Sequence, residues 1–213
     1  MDHSHLYYKC QRPELAAHIQ PGQNRIIDLG CAEGVLGQGL KQQGLASEVI
    51  GIEFVPAAAQ VAKTRLDRVI CGDIESIDRE GLDLGAGTFD YIICGDVLEH
   101  LRDPWEVVSW LATRLKPGGK LIASLPNVGH WSVALPLLFK GRWDYQNEGI
   151  LDKTHLRFFT RRTTLELIGQ SGLELRKPEP LLRRKLDKIG NTMTLGIMAD
   201  AFAFQWLVVG VKK

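Results

Sequence analysis

Residues 26–34 read IIDLGCAEG, an apolar run with an acid in it that leads into a turn containing two glycines. Aliphatic residues without strict alternation are typical of a strand that is buried on both faces. Gly30 and Gly34 permit a tight turn and a close approach of the backbone to a ligand. The stretch therefore predicts the first strand and loop of an α/β domain.

The same rhythm of apolar run and amphipathic segment continues on both sides of this stretch. Strands are predicted at residues 25–30, 48–53, 68–73, 89–96, 120–126, 173–176 and 202–211. Helices are predicted at residues 35–43, 56–65, 104–115 and 163–171, and a turn at 116–119. This alternation predicts a parallel sheet with helices on both faces, within a single domain over residues 1–213.

Acids lie at the ends of the first three predicted strands, where an open α/β sheet binds its ligands. They are Asp28, Glu53 and Asp73. Glu53 follows the glycine turn by about 20 residues, the spacing expected for a carboxylate that accepts hydrogen bonds from an adenosine ribose. Any one of these acids could instead cap a helix, but capping does not account for three at successive strand ends.

A dinucleotide site is the main alternative for the glycine turn, because NAD-dependent oxidoreductases also combine such a turn with a later acid. In their G-x-G-x-x-G pattern the second and third glycines would fall at Ala32 and Val35, so two of the three are missing. Glu33 would also repel a pyrophosphate at the helix N-terminus. These residues favour a cofactor with an amino-acid tail and a sulfonium centre.

Five ordered motifs over residues 25–126 resemble those of the class I S-adenosylmethionine-dependent methyltransferases. They are the glycine loop, Glu53, Gly72-Asp73-Ile74, FDYIICGDVLEHLRDP at 89–104 and LKPGGKLIASLP at 115–126. Ala32 stands where the family has glycine, which is a mild departure. The resemblance implies a Rossmann-like, doubly wound α/β sheet of about seven strands, mostly parallel with an antiparallel last strand. It also implies methyl transfer from S-adenosylmethionine, with S-adenosylhomocysteine as product.

The resemblance further implies which residues bind the cofactor. Glu53 would bind the ribose, and Asp73 the adenine amino group with Ile74 against the ring. The glycine loop would hold the methionine part. The residues expected to contact the cofactor are Asp28, Gly30, Cys31, Ala32, Gly34, Glu53, Phe54, Asp73, Ile74 and Gly95.

Histidines are the candidates for the acceptor side, because an alcohol acceptor needs a base and His titrates closest to neutral pH. His100 and His155 are the predicted catalytic residues and His130 is a third candidate; the alternative for each is a hydrogen-bonded structural role. Asp96 either belongs to the site or caps a helix that would contain Glu99 and His100. Because Glu99-His100 offers only two ligands, no metal is predicted.

Residues 127–159 interrupt the rhythm and carry several aromatic residues. A connection this long is more often a functional lid or substrate-binding insertion than an idle loop. The alternative is an extra helix or hairpin whose aromatics are ordinary packing. The motifs PNVGHW and GRWDYQNEGILDKTHLRFFT resemble small bacterial methyltransferases of surface-glycan and secondary-metabolite pathways, and quinone-type O-methyltransferases. They imply an oxygen acceptor on a small molecule or glycan.

Composition limits the partners and the location. The net charge of +1 disfavours a nucleic-acid partner, and four cysteines without a CxxC pair or zinc spacing indicate reduced thiols in a cytoplasmic protein. The N-terminus lacks the pattern of a signal peptide. Residues 194–211 are apolar but contain Asp200 and Gln205, so a buried terminal strand is expected rather than a membrane span. The oligomeric state is not indicated.

Basic residues outside these motifs leave one question open. Arg157 and the cluster Arg183, Arg184, Lys185 and Lys188 could bind an anionic substrate, or the cluster could be a solvated helix face. Three functions are therefore weighed: a methyltransferase, a non-catalytic cofactor-binding regulator of the same fold, and, less favoured, an NAD-dependent oxidoreductase.

Overall fold

The computed structural model describes residues 12–213, so Cys10 and the other residues before Arg12 lie outside the described part of the chain. The described residues form one eight-stranded sheet. Its strands are β1 (Arg25–Leu29), β2 (Glu48–Glu53), β3 (Arg68–Cys71), β4 (Phe89–Gly95), β5 (Leu115–Pro126), β6 (Glu174–Leu175), β7 (Glu179–Leu181) and β8 (Gln205–Val211).

The strand order is β3-β2-β1-β4-β5-β8-β6, and β7 also pairs with β8. The strands β1 to β5 run parallel to one another, whereas β8 is antiparallel to β5, β6 and β7. The predicted fold class is confirmed, with one strand more than expected. The extra strand, β7, has only three residues and contains Pro180, so no strand pattern identified it. The order reverses between β1 and β4, which makes the carboxyl ends of these strands the expected ligand site.

Helices cover both faces of the sheet. They are α1 (Pro13–Ala16), α2 (Val35–Gln42), α3 (Pro56–Ala62), α4 (Pro104–Arg114), α5 (Trp131–Lys140), α6 (Arg161–Gly169), α7 (Lys185–Met193) and α8 (Ala199–Phe202). Successive strand residues enter opposite cores, as Ile26 and Ile27 do. The Ile26 core includes residues of α1, α2 and α3, and the Ile27 core includes residues of α4 and α6.

Three sequence predictions need correction in detail. The residues of the predicted turn at 116–119 form a bulge within β5, because β5 pairs with Phe89 through Leu115 and with Tyr91 only through Lys120. Residues 98–100 form a short 3₁₀ turn where a longer helix was expected. The terminal strand starts only at Gln205, after the short helix α8.

The segment 127–159 contains α5 and a small core of its own. Val133 of α5 packs with Ile150, Leu151 and Phe204, and Trp143 lies edge-on to Phe158 with ring centroids 5.1 Å apart. The extra helix that was weighed as an alternative is therefore present; Pro136 inside it obscured the helical pattern. Among residues 12–213, no helix combines the length and the apolar character needed to cross a bilayer.

Candidate functional site

The loop after β1 turns sharply because three of its residues adopt left-handed backbone conformations. The φ angle is 71° at Gly30, 50° at Ala32 and 76° at Gly34, which is the N-cap of α2. Glycine adopts this region without strain, whereas alanine does not. A Cβ on Gly30 would also lie 2.9 Å from Cγ2 of Val97. Gly30 is therefore required both by its backbone angle and by its lack of a side chain.

Glu53 at the end of β2 stabilises this loop. Its buried carboxylate accepts backbone hydrogen bonds from Ala32 and Val55, each 2.8 Å long. The bond from Ala32 compensates for the strained conformation of that residue. A carboxylate has about four acceptor positions, so about two remain for a ligand. The ring of Phe54 beside it is 69% exposed and presents an apolar surface.

Asp73 follows β3 at the same edge of the sheet. One carboxylate oxygen accepts a hydrogen bond of 2.9 Å from the backbone of Glu75, and the other lies 3.3 Å from the guanidinium of Arg102. The next residue, Ile74, is buried in the hydrophobic core. Asp73 therefore presents polar atoms at this edge, while Ile74 anchors the loop by packing into the hydrophobic core.

Asp28 lies buried beneath the glycine loop. Burial raises the pKa of its carboxyl from 3.8 to about 7, the Arg12 guanidinium acts in the opposite direction, and the charge of Glu53 raises the pKa further. Arg12 donates hydrogen bonds to Asp96 (3.0 Å) and to the hydroxyl of Ser124 (2.8 Å). This cation therefore sits over the ends of β4 and β5, next to the glycine loop.

Gly95 ends β4 and gives α1 room to approach. A Cβ at this position would lie 2.8 Å from Cδ1 of Leu15 and 3.4 Å from the Arg12 guanidinium. Asp96 follows in a left-handed conformation with φ 55°, and its carboxylate also accepts hydrogen bonds from Ser124 (2.9 Å) and Gln205 (2.8 Å). Asp96 does not cap the next turn, whose N-cap has no side-chain hydrogen bond.

A second cluster lies just beyond β4 and consists of Glu99, His100 and His155. One ligand atom from each residue lies within 4.8 Å of those of the other two. The Glu99 side chain is 1% exposed, yet neither carboxylate oxygen has a hydrogen-bond partner within the described residues. Burial and the nearby charge of Asp96 raise the pKa of Glu99 well above its usual range. An ionised carboxylate without partners is costly to bury, which is the physical cause of this raised pKa.

Both histidines are oriented by backbone carbonyls. The Nδ1 atom of His100 lies 3.2 Å from the carbonyl oxygen of Thr154, and Nδ1 of His155 lies 3.0 Å from that of Ile150. A carbonyl only accepts, so Nδ1 donates in each ring, and in the neutral form of the ring Nε2 keeps its lone pair. Burial also lowers the pKa of His155, which favours its neutral form. Histidines that bind metals are commonly held in this way.

The segment after α5 docks onto this cluster through its backbone. The N–H groups of Leu156 and Arg157 both donate to the carbonyl of Glu99, at 2.8 and 2.9 Å. His155 is thereby fixed opposite Glu99, with its Nε2 3.9 Å from a carboxylate oxygen. These two hydrogen bonds join residues that are 57 and 58 positions apart in the sequence.

The fold is shared with solved structures of low sequence similarity. One is an S-adenosylmethionine-dependent methyltransferase from Archaeoglobus fulgidus, with a TM-score of 0.71 at 16% identity, covering 99% of this chain and 100% of the other. Another is from Mesorhizobium loti, with a TM-score of 0.66 at 19% identity and coverage of 94% and 96%.

Comparison of the sequence with known families identifies the family as well as the fold. Residues 1–177 match the family model of a methyltransferase domain. The chain belongs to the S-adenosylmethionine-dependent methyltransferases. Similar relatives are the ubiquinone biosynthesis O-methyltransferases of Burkholderia ambifaria, 31% identical over 169 residues (74% of this chain, 71% of the relative), and Xanthomonas axonopodis pv. citri, 29% identical over 171 residues (75% and 70%). The methyltransferase therefore uses S-adenosylmethionine, and the NAD-dependent alternative is excluded.

The structure places most predicted cofactor residues of the methyltransferase along one edge of the sheet. They follow the ends of the four parallel strands from β1 to β4. Cys31 lies in the loop but is buried, and burial raises the pKa of its thiol further above its usual range, next to the charges of Asp28 and Glu53. Its thiol therefore stays protonated, which suits a small packing residue rather than a nucleophile.

His130 lies in a different network from the other two histidines. It is fully buried, its Nε2 lies 3.1 Å from Asp187, and its Nδ1 accepts from the hydroxyl and the backbone N–H of Ser132. Trp131 donates to the same carboxylate at 2.9 Å. His130 caps α5 and anchors it to α7, which is the structural role weighed for it.

Arg12 is the site residue that sequence reasoning missed. It is 84 positions from Asp96 and 112 from Ser124, and no motif surrounds it. Only the packing of α1 over the end of β4 brings it to the site. His155 was a candidate from the sequence, but no sequence pattern placed it beside Glu99 and His100.

Proposed function

We propose that the methyltransferase transfers the methyl group of S-adenosylmethionine to a hydroxyl oxygen of a small molecule, of the ring-hydroxyl type found among quinone precursors. The buried carboxyl group of Glu99, which lies beside two histidines and has no hydrogen-bond partner among the described residues, carries this proposal. The names of the similar relatives support oxygen as the acceptor atom. A cytoplasmic location and a small-molecule partner belong to the same proposal.

The cofactor would bind across the loops at the ends of β1 to β4. Glu53 would accept the ribose hydroxyls through its remaining lone pairs, Phe54 would cover the adenosine, and Asp73 would accept from the adenine amino group. Arg12 and Asp28 would face the charged amino-acid tail. This arrangement directs the sulfonium toward the cluster beyond β4. Bound S-adenosylmethionine supplies an already activated methyl group, so the protein mainly positions the acceptor and excludes water.

The acceptor side would be formed by Glu99, His100 and His155 as ligands of a divalent cation. Two ligands that each bind a metal at about 2.0–2.2 Å can be at most ~4.4 Å apart, so the 3.9 Å between Nε2 of His155 and Glu99 fits. The widest separation, 4.8 Å, requires only a small inward movement. A cation there would lower the pKa of a hydroxyl that coordinates to it. Without a cation, the Nε2 atoms of the histidines would accept the hydroxyl proton directly.

Residues 127–159 would close over the acceptor as a lid. Three buried side chains of this segment pack with Phe204 in a small core, and the segment's backbone is docked on Glu99. Trp143, Tyr145 and Phe158 form the aromatic side of this unit, with Tyr145 more than half exposed. Such rings suit a flat acceptor better than a polar sugar.

The experiment is a screen of acceptors with isotopically labelled S-adenosylmethionine, read by mass spectrometry and by NMR of the product. The panel contains catechols, single phenols, aliphatic alcohols, amines and oligosaccharides. We expect labelled methyl on a ring oxygen, fastest with catechols, because two adjacent hydroxyls can bind one cation. Methylation of the amines or only of the oligosaccharides would overturn the proposal. Cofactor binding without any product would favour the non-catalytic regulator.

A further inference from the structure

The helix α7 of the methyltransferase buries an acid on its inner face and exposes three large apolar side chains, those of Leu186, Ile189 and Met193, to water. Asp187 is fully buried, and a Cβ on Gly190 would lie 2.3 Å from the ring of Phe202, so these residues, one helical turn apart, form the inner face. A helix on the surface of a globular protein normally shows the opposite arrangement. Ordinary core packing therefore does not explain the outer face of α7.

The outer face continues into the turn that follows the helix, and its residues are 51–87% exposed. We define the α7 surface by Leu186, Ile189, Met193, Leu195, Ile197 and Met198. Within α7 the first three are spaced by three and four residues, so they share one face. Six large apolar side chains exposed in a run of thirteen residues exceed the scattered exposure that needs no explanation.

Most of the charged side chains around the α7 surface are cationic. Lys185 and Lys188 are exposed and form no ion pair with another described residue, whereas the exposed Arg183 and Arg184 place their guanidiniums over the rings of Phe204 and Trp131, 5.1 and 5.8 Å from the centroids. The one acid within α7, Asp187, is withdrawn into the protein, where it accepts hydrogen bonds from Trp131 and the backbone of Arg184. Asp200 beyond the turn is paired with Arg161 at 3.0 Å. The surface is therefore apolar at its centre and cationic at its edge.

We infer that the α7 surface binds the headgroup region of an anionic lipid bilayer. Apolar side chains on one face with Lys and Arg around them are the features of a helix that lies in the plane of a membrane interface. Basic residues near an anionic leaflet add attraction that depends on salt. The methyltransferase has no spanning helix among its described residues, so this contact would be peripheral. The inference is independent of which acceptor is methylated.

A second copy of the chain is a less suitable occupant of this surface. In a symmetric dimer the same patch meets itself, so Lys185 and Lys188 of one copy would approach those of the other. Like charges at an interface from which water is excluded are unfavourable. An anionic bilayer instead neutralises these cations while it buries the apolar residues.

The test is sedimentation of the full chain with vesicles of phosphatidylcholine alone or of phosphatidylcholine mixed with phosphatidylglycerol. We expect wild type to bind the mixed vesicles several-fold more strongly, and less so as salt is added. Each basic residue contributes about 1 kcal/mol near such a surface, so the charge reversal K185E/K188E should weaken binding roughly tenfold or more. The variant I189S/M193S should also lose binding, because it removes apolar contact.

The control variant is K63E/K177E, which reverses two exposed lysines elsewhere and should bind like wild type. Thermal unfolding and binding of S-adenosylmethionine would show that every variant is folded. Equal binding by K185E/K188E and wild type would overturn the inference, as would no binding to either vesicle. Light scattering that shows a dimer in wild type and a monomer in I189S/M193S would assign the surface to a second copy instead.

Discussion

The carboxylate of Glu53 stabilises the glycine loop, and we propose that it also binds the cofactor. Its two backbone hydrogen bonds come from Ala32 in the glycine loop and from Val55 before α3. Ala32 occupies a position where a non-glycine residue is strained, so the hydrogen bond from its N–H matters more than it would for glycine. The departure from the family's glycine pattern is therefore tolerated because Glu53 stabilises it.

Replacing Glu53 by Gln should weaken binding of S-adenosylmethionine roughly tenfold or more, since hydrogen bonds to a charged acceptor contribute about 1.5–3 kcal/mol. Isothermal titration calorimetry measures the effect. Glu48→Gln at the opposite end of the same strand is the matched control and should bind the cofactor like wild type. Equal affinities of the two variants would contradict the assignment of Glu53.

The buried carboxyl of Asp28 makes stability depend on pH. Its pKa is about 7 in the folded protein against an ordinary 3.8, so between these values the unfolded chain is ionised while the folded chain holds a proton. The contribution of Asp28 to stability is thus fully present at pH below about 4 and is lost as the pH rises to about 7.

Replacing Asp28 by Asn removes this dependence. The free energy of unfolding of D28N minus that of wild type should increase by roughly 1–4 kcal/mol from pH 5 to pH 8, because wild type loses stability over this range and each unit of pKa shift corresponds to about 1.4 kcal/mol. Urea denaturation without cofactor at the two pH values measures it. A difference between the proteins that stays constant with pH would show that Asp28 is not protonated when folded.

Residues at strand ends could be predicted, whereas residues brought in by packing could not. Asp28, Glu53 and Asp73 follow strands that the apolar runs reveal, and parallel strands end at a common edge. Arg12 belongs to no such pattern. The orientation of His100 and His155 likewise depends on carbonyls of Thr154 and Ile150, which no spacing rule places beside them.

Among the elements, the β1–α2 loop depends most strongly on glycine. Gly30 and Gly44 have nearly equal φ angles of 71° and 69°, but a Cβ on Gly30 would meet Val97 whereas a Cβ on Gly44 would meet nothing within 4 Å. The pair therefore separates backbone strain from steric overlap. Both effects are expected at Gly30 and only the first at Gly44.

Replacing Gly44 by Ala should lower the free energy of unfolding by about 1 kcal/mol through backbone strain alone. Replacing Gly30 by Ala should lower the free energy of unfolding by about 1–3 kcal/mol more than this, which is the usual effect of overpacking. Chemical denaturation of both variants measures the difference. Equal destabilisation would mean that Val97 moves aside and that the loop is looser than its contacts indicate.

The helices that pack on the parallel strands could be predicted from the sequence, whereas α5 and α7 could not. The helices α2, α3, α4 and α6 lie within three residues of their predicted ends, because proline and glycine mark them. The helix α5 contains Pro136, and α7 contains Gly190 and Asn191, all of which weaken a helical pattern. The apolar residues of α7 are exposed and not buried. A sequence pattern identifies a helix by the apolar face that it buries, so this pattern did not identify α7.

For the whole molecule, the two halves of the site come from different parts of the chain. The alternating strands and helices up to β5 supply the cofactor edge, and the later segment brings His155 to Glu99 through backbone hydrogen bonds. Arg12 lies between the halves, since its charge lowers the pKa of both Asp28 and Glu99. In the proposed function one packed unit would therefore position both the methyl donor and the acceptor, and no single motif contains the residues of the acceptor side.

The cation proposed to bind Glu99, His100 and His155 can be tested by a direct measurement. The rate of methyl transfer to the fastest acceptor of the screen, at saturating S-adenosylmethionine, is compared before chelation, after removal of divalent cations, and after adding Mg²⁺ or Zn²⁺ back. We predict a roughly hundredfold loss on chelation, recovery with one of these cations, and unchanged affinity for S-adenosylmethionine. An unchanged rate after chelation would contradict the cation site and leave the histidines as bases.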